Sequence, residues 1–177
     1  MANSGHFVDF FDSDDELIAA TATFLNEGFR TGSSCIAVLT REHLEKVRHT
    51  LKLSGLDLQK FMDDYRFVAL DAVDLLAEVW LEDHLDKCGY HRKFSELIRL
   101  MSAGGKELYI VGEIVGLLAQ RGKIEAIIEA EEICNELSRQ HAFRMYCLYR
   151  ESAFVQPLDY DAHRYVCATH SGSLQAA

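Results

Sequence analysis

Short, continuous apolar runs alternate along the chain with longer segments whose apolar residues recur every three or four positions. The runs are His6–Phe11 (HFVDFF), Cys35–Leu39 (CIAVL), Phe67–Leu70 (FVAL), Leu108–Val111 (LYIV) and Met145–Tyr149 (MYCLY). Their length and continuity predict five strands, most of them buried on both faces as in a parallel sheet. Between them, Leu17, Ile18, Thr21, Phe24 and Leu25 share one helical face, and Leu44, Val47 and Leu51 a second. Leu75, Leu76 and Val79 mark a third helix, and Phe94, Leu97, Ile98 and Met101 a fourth. A turn of helix is predicted over Leu58–Met62. A short apolar helix precedes Gly122, and a long one runs from Ile124 to about Arg139. In the tail, after a linker containing Pro157, His163, Val166, Cys167 and His170 are again at helical spacing. Ser13 and Glu16 have capping-box spacing, while Thr40 and Asp71 stand where helix caps are needed. Gly28 and Gly32 are available to end the first helix.

Strands alternating with helices in this way predict a three-layer α/β fold over residues 1–177 as one domain. Its mainly parallel sheet of about five strands would carry helices on both faces, joined by right-handed crossovers. In such folds ligands bind outside the carboxyl ends of the strands. That rule selects Phe11, Asp12, Ser13, Thr40, Arg41, Asp71, Glu113, Tyr149 and Arg150 as a candidate site. Ser13, Thr40 and Asp71 are equally well explained as caps.

Composition narrows the function. The 177 residues are 49% apolar and 26% charged, a balance that buries a core. With 18 basic against 28 acidic side chains the formal charge is −10. That opposes nucleic-acid binding and attachment to anionic membranes. No apolar run is long enough to span a bilayer and no secretory leader is visible, so a cytoplasmic location is expected. The five cysteines are scattered without a CxxC pair and read as reduced core thiols.

The chain has no GxxxxGK[ST], GxSxG, HExxH or strand-linked GxGxxG. Gly104-Gly105-Lys106-Glu107 follows a helix and precedes a strand, the reverse of the phosphate-cradling order, and reads as a helix end and a turn. His84, Cys88 and His91, with Asp83 and Asp86, have metal-like spacing. Gly89 is expected to break the helix there, and a full ligand set is lacking. Neither a cofactor nor a metal is expected, and catalysis is not.

Single residues stand out by position. Helical periodicity places Glu131 on the inward stripe of Ile124, Ile127, Ile128 and Cys134, with Asn135 as its i+4 neighbour. A carboxylate there needs a partner, either a structural one such as Arg144, Arg150 or a helix terminus, or a ligand. Glu113 follows a buried strand and a glycine, where it either caps a short helix or contacts a ligand. His6 and His170 lie on apolar faces, where a histidine is either a satisfied core residue or a sensor of charge.

The stretch His6-Phe7-Val8-Asp9-Phe10-Phe11, followed by Phe24-Leu25-Asn26-Glu27-Gly28 and Gly32, resembles the opening of the MEDS domain, the methanogen/methylotroph sensory domain of dichloromethane-type regulators. So do Leu70-Asp71-Ala72, Gly112-Glu113-Ile114-Val115 with Leu117-Leu118 and Gly122, and Glu131 with Cys134-Asn135 and Leu137. The likeness continues through Cys147-Leu148-Tyr149 to Cys167 and His170-Ser171. It implies a RecA/KaiC-like fold without the Walker motif, used as an input module for histidine kinases or DNA-binding domains and binding small organic ligands. His6, Phe11, Glu113, Glu131, Asn135 and His170 become the implied site residues. Phe11 stands where tyrosine is common, Cys134 where tryptophan is usual, and Arg150 where proline often follows; a pocket lined by them would take a different ligand. With no output domain following, the chain is expected to be a stand-alone module or an excised input domain.

The function expected is therefore a non-catalytic sensor whose small organic ligand shifts a conformational or homodimer equilibrium. The alternatives are a degenerate RecA/KaiC-like nucleotide-binding protein or ATPase using Glu113 as a base, and an interaction module without a ligand.

Overall fold

In the computed structural model, residues 4–154 and 159–175 are described; the linker around Pro157 lies outside them. The elements run β1 (Gly5–Phe11), α1 (Asp14–Arg30), β2 (Ser34–Leu39), α2 (Arg41–Leu53), α3 (Leu58–Asp63), β3 (Phe67–Asp71) and α4 (Ala72–Glu78). Then come β4 (Trp80–Leu81), β5 (His84–Leu85), α5 (Lys87–Met101), β6 (Leu108–Gly112), α6 (Ile114–Gln120), α7 (Ile124–Gln140), β7 (Arg144–Arg150), a 3-10 turn (Glu151–Phe154) and α8 (Asp159–Thr169). Five strands form one parallel sheet in the order β1-β7-β6-β2-β3.

Strand alternation divides the core into two layers. Cys35, Ala37 and Leu39 of β2, Tyr109 and Val111 of β6, and Tyr146 and Leu148 of β7 pack with α1, α2 and α3. Ile36 and Val38, Leu108 and Ile110, and Met145, Cys147 and Tyr149 pack with α4 to α8 on the opposite face. The result is the three-layer α/β architecture. Among the described residues no helix is long and apolar enough to cross a membrane.

Chain order decides where the sheet opens. From β2 the chain passes to α2 on one face, and from β6 it passes to α6 on the other. Since β2 and β6 are neighbours, their carboxyl ends form a junction of the kind where doubly wound folds open a crevice for ligands. The free edge of β1 is covered by the segment after α8. Phe7 bridges Gly172, and the Val8 N–H donates to the Gly172 carbonyl at 3.1 Å. The buried Asp9 carboxylate holds this strap, accepting from the Tyr146 hydroxyl at 2.7 Å, the Leu174 N–H at 3.0 Å and the Ser173 hydroxyl.

Several local expectations change. Gly28 does not end α1 but lies inside it, where a Cβ would come within 2.8 Å of the Tyr109 ring and 2.9 Å of Cys35 Sγ. The helix stops at Gly32, whose φ of +84° is open to glycine at no steric cost. Gly89 does not break a helix. Asp86 caps α5 by accepting from the Gly89 N–H at 3.0 Å, and a Cβ on Gly89 would strike that carboxylate. Asp83 pairs with Lys123 at 2.6 Å. Of the cysteines, Cys35, Cys134 and Cys147 are buried thiols, whereas Cys88 and Cys167 are exposed.

Candidate functional site

The thirteen sequence-selected residues fall into two groups, one at the carboxyl edge of the sheet and one inside the layer of α7 and α8.

At the edge, the β2/β6 crevice is bridged by Glu113. Its Oε2 accepts from the Thr40 N–H at 2.9 Å and its Oε1 lies 2.8 Å from His43 Nδ1. Glu113 occupies the cap position of α6 but makes no capping bond, so its carboxylate is committed across the crevice rather than to its own helix. On its far side His43 Nε2 lies 3.6 Å from Asp14 Oδ1, and Arg150 Nη1 reaches the same oxygen at 2.8 Å. Arg150 Nη2 also donates to the Asp12 carbonyl at 2.9 Å. One relay, Glu113–His43–Asp14–Arg150, thus connects the ends of β6, β2, β1 and β7. Ser13 caps α1, and Asp71 caps α4 while pairing with the exposed Arg41 at 3.4 Å. Phe11 is buried beneath α1, edge-on to Tyr146, and does not face the crevice.

His43 and Asp14 escaped the sequence reading. Both lie in the first turns of crossover helices at the selected edge, and that position was the available signal. The hydrogen bond to Glu113 holds the His43 pKa above its ordinary 6.5, against burial, with the charges of Glu113, Asp14 and Glu42 adding to it. A pKa raised by folding contributes stability in full below pH 6.5 and loses it as pH rises through the raised value. Urea midpoints of the wild type and His43→Gln should therefore differ most below pH 6.5 and converge on the alkaline side. A gap that widens with pH would contradict the pairing.

The second group is buried. His6 from β1, Glu131 from α7, Cys147 and Tyr149 from β7, and His170 just past α8 meet behind the sheet. The Glu131 carboxylate is fully buried. Its Oε1 accepts from the Tyr149 hydroxyl at 2.5 Å, and its Oε2 faces His6 Nε2 at 3.4 Å and His170 Nε2 at 3.3 Å. Neither Arg144 nor Arg150 is its partner. Burial raises the Glu131 pKa, but the close approach and charge of His170, the charge of His6 and the Tyr149 hydroxyl outweigh it and hold the carboxyl below 4.5. Burial pulls His6 below 6.5 and pushes the Cys147 thiol well above its ordinary value. Asn135 Oδ1 lies 2.9 Å from His6 Nδ1, which ties α7 to β1. His6, Glu131, Cys147 and His170 are the only set among the described residues whose ligating atoms converge, all within 4.8 Å. Cys147 was missed as a member, although strand alternation puts it on the same face as Tyr149.

In comparisons with known proteins, the fold is similar to that of a KaiC-like protein from the hyperthermophilic archaeon Pyrococcus horikoshii, with a TM-score of 0.56 at 13% identity. The match covers 90% of this chain and 69% of that one, and at this identity it speaks for the fold alone. No curated protein matches the chain. The family model of the MEthanogen/methylotroph, DcmR Sensory domain matches residues 5–171, nearly the full length of what has been described. The chain belongs to this MEDS family of sensory domains.

Proposed function

We propose that residues 1–177 form a single non-catalytic input domain that binds a small organic ligand at the carboxyl edge of the sheet. It passes the signal to a histidine kinase or DNA-binding output module in the cytoplasm, in cis or in trans, directly or through a homodimer. The observation that carries this reading is the Glu113 carboxylate spanning the β2/β6 crevice to Thr40 and His43. A ligand with a hydrogen-bonding group competes there for Glu113. Breaking that link frees α2 from α6, and through Asp14 and Arg150 it loosens α1 and β7. A ligand shifts such an equilibrium only by its differential affinity for the two arrangements, and couplings of about 1–3 kcal/mol are usual.

The same edge is poorly suited to a nucleotide. A phosphate seeks the N-terminus of the helix after the first strand, but the first turn of α1 carries Asp14, Asp15 and Glu16. The Asp12 N–H, which would face the phosphate, donates instead to Glu16 at 3.3 Å.

A thermal-shift panel of nucleotides, small halocarbons, alcohols and common metabolites tests the reading, because a compound that binds the native state raises the midpoint. Stabilisation by a small organic that is lost in Glu113→Gln is expected. Stabilisation by nucleotides alone, with ATP turnover abolished in Glu113→Gln, would replace the proposal with a nucleotide enzyme. No stabilisation by any compound would favour an interaction module.

A further inference from the structure

The buried cluster behind β1 and β7 lies away from the proposed ligand edge, and its chemistry is different. We propose that His6, Glu131, Cys147 and His170 form a closed tetrahedral site for a divalent transition metal of the zinc class.

The spacing of the donor atoms is the first reason. Metal–ligand bonds of about 2.0–2.3 Å at tetrahedral angles place the ligating atoms roughly 3.3–3.8 Å apart. Here Glu131 Oε2 lies 3.4 Å from His6 Nε2, 3.3 Å from His170 Nε2 and 3.9 Å from Cys147 Sγ. His6 Nε2 lies 3.1 Å from Cys147 Sγ.

Orientation is the second. A histidine that binds a metal through one ring nitrogen usually donates the other N–H to a fixed acceptor. His170 Nδ1 lies 2.6 Å from the Val166 carbonyl, which can only accept, so Nδ1 carries the proton. His6 Nδ1 faces Asn135 Oδ1 at 2.9 Å in the same sense. Both Nε2 atoms therefore turn inward. Glu131 repeats the pattern: Oε1 is engaged by the Tyr149 hydroxyl, and Oε2 is the atom that faces the other three donors.

The third reason is an orphan. The His170 side chain is fully buried, yet its Nε2 makes no hydrogen bond among the described residues, despite lying 3.3 Å from Glu131 Oε2. A buried polar atom without a partner is destabilising, and a metal ion at the centre of the cluster supplies that partner.

The charges of the four side chains also balance. On binding, the Cys147 thiol proton leaves to solvent. One thiolate and one carboxylate then balance the two positive charges of the ion, while the imidazoles remain neutral. The site is neutral as a whole, which is what burial requires. A thiolate with two imidazoles and one carboxylate oxygen suits zinc better than magnesium or calcium, which prefer oxygen ligands throughout. Asn135, the partner of His6, also lines a groove of about 920 Å3 edged by Glu129, Glu132 and Glu136. Those carboxylates would attract a cation.

The test uses the full chain, stripped with a chelator and then titrated with zinc in competition with a chromophoric indicator. The expected result is one zinc ion per chain and a raised thermal midpoint, with affinity falling at least tenfold in both Cys147→Ser and His170→Gln. Cobalt substitution adds a readout that a structural role would not move. A sulfur-to-cobalt charge-transfer band should appear with the intense visible bands of tetrahedral cobalt, and Cys147→Ser should abolish the former. Folded wild type that takes up no zinc would overturn the proposal. So would uptake, or a cobalt spectrum, indifferent to Cys147→Ser, which would point to His84, Cys88 and His91. Neither result bears on the ligand at Glu113, so this proposal and the sensory reading fail separately.

Discussion

Replacing Glu131 with alanine is expected to destabilise the chain by about 3–5 kcal/mol, the cost of removing one member of a buried charged group. The carboxylate is the shared acceptor of its surroundings: the Tyr149 hydroxyl donates to it, and His6 and His170 both face it. Deleting it leaves the buried Tyr149 hydroxyl without its acceptor and a void beside the two histidine rings, where solvent cannot reach. Glu131→Gln should cost less, because the amide oxygen still accepts from Tyr149. Urea unfolding with a chelator present measures this without a contribution from any bound ion. A loss within about 0.5 kcal/mol, the range of ordinary surface changes, would mean that the cluster is not an energetic unit.

The second large effect is expected at Gly116, in the middle of α6. Alanine there would gain about 1 kcal/mol of helix propensity. Its Cβ, however, would sit 2.4 Å from the carbonyl oxygen of Leu148 in β7. That atom is backbone of an interior strand and cannot rotate away. Overpacking costs about 1–3 kcal/mol, and a rigid neighbour puts this case at the upper end, so a net loss of about 2 kcal/mol is expected. To relieve the contact α6 must lift from the sheet, carrying Glu113 at its start away from Thr40 and His43. Gly116→Ala should therefore weaken both stability and ligand response. An unchanged or raised urea midpoint would show that α6 is not seated on β7 as described.

Much of this fold is legible in the sequence because its signals are local. Apolar runs mark the five sheet strands, and Ser13 and Asp71 announce the helices they cap. The two-residue strands β4 and β5 are too short to carry a period, and Gly89 looked like a helix breaker because its close contact with Asp86 depends on the cap. Helical periodicity put Glu131 inside but could not name its partners. His6 and His170 lie far from it in sequence and on other elements, and His170 falls just beyond the helix whose spacing suggested it. The edge residues were found by a rule about strand ends, which groups positions by place in the fold. That rule cannot say that Phe11 turns beneath α1 or that the Tyr149 hydroxyl turns toward Glu131. The relay of Glu113, His43, Asp14 and Arg150 appears only when four crossovers are set side by side.

The central claim is that a ligand at the edge acts on that relay. Amide hydrogen exchange tests it most directly, comparing the protein alone with the protein bound to the small organic compound giving the largest thermal shift. The account predicts coordinated changes at the starts of α1, α2 and α6 and at the end of β7, all abolished by Glu113→Gln. Changes confined to the groove between α5 and α7, or unaffected by Glu113→Gln, would contradict it.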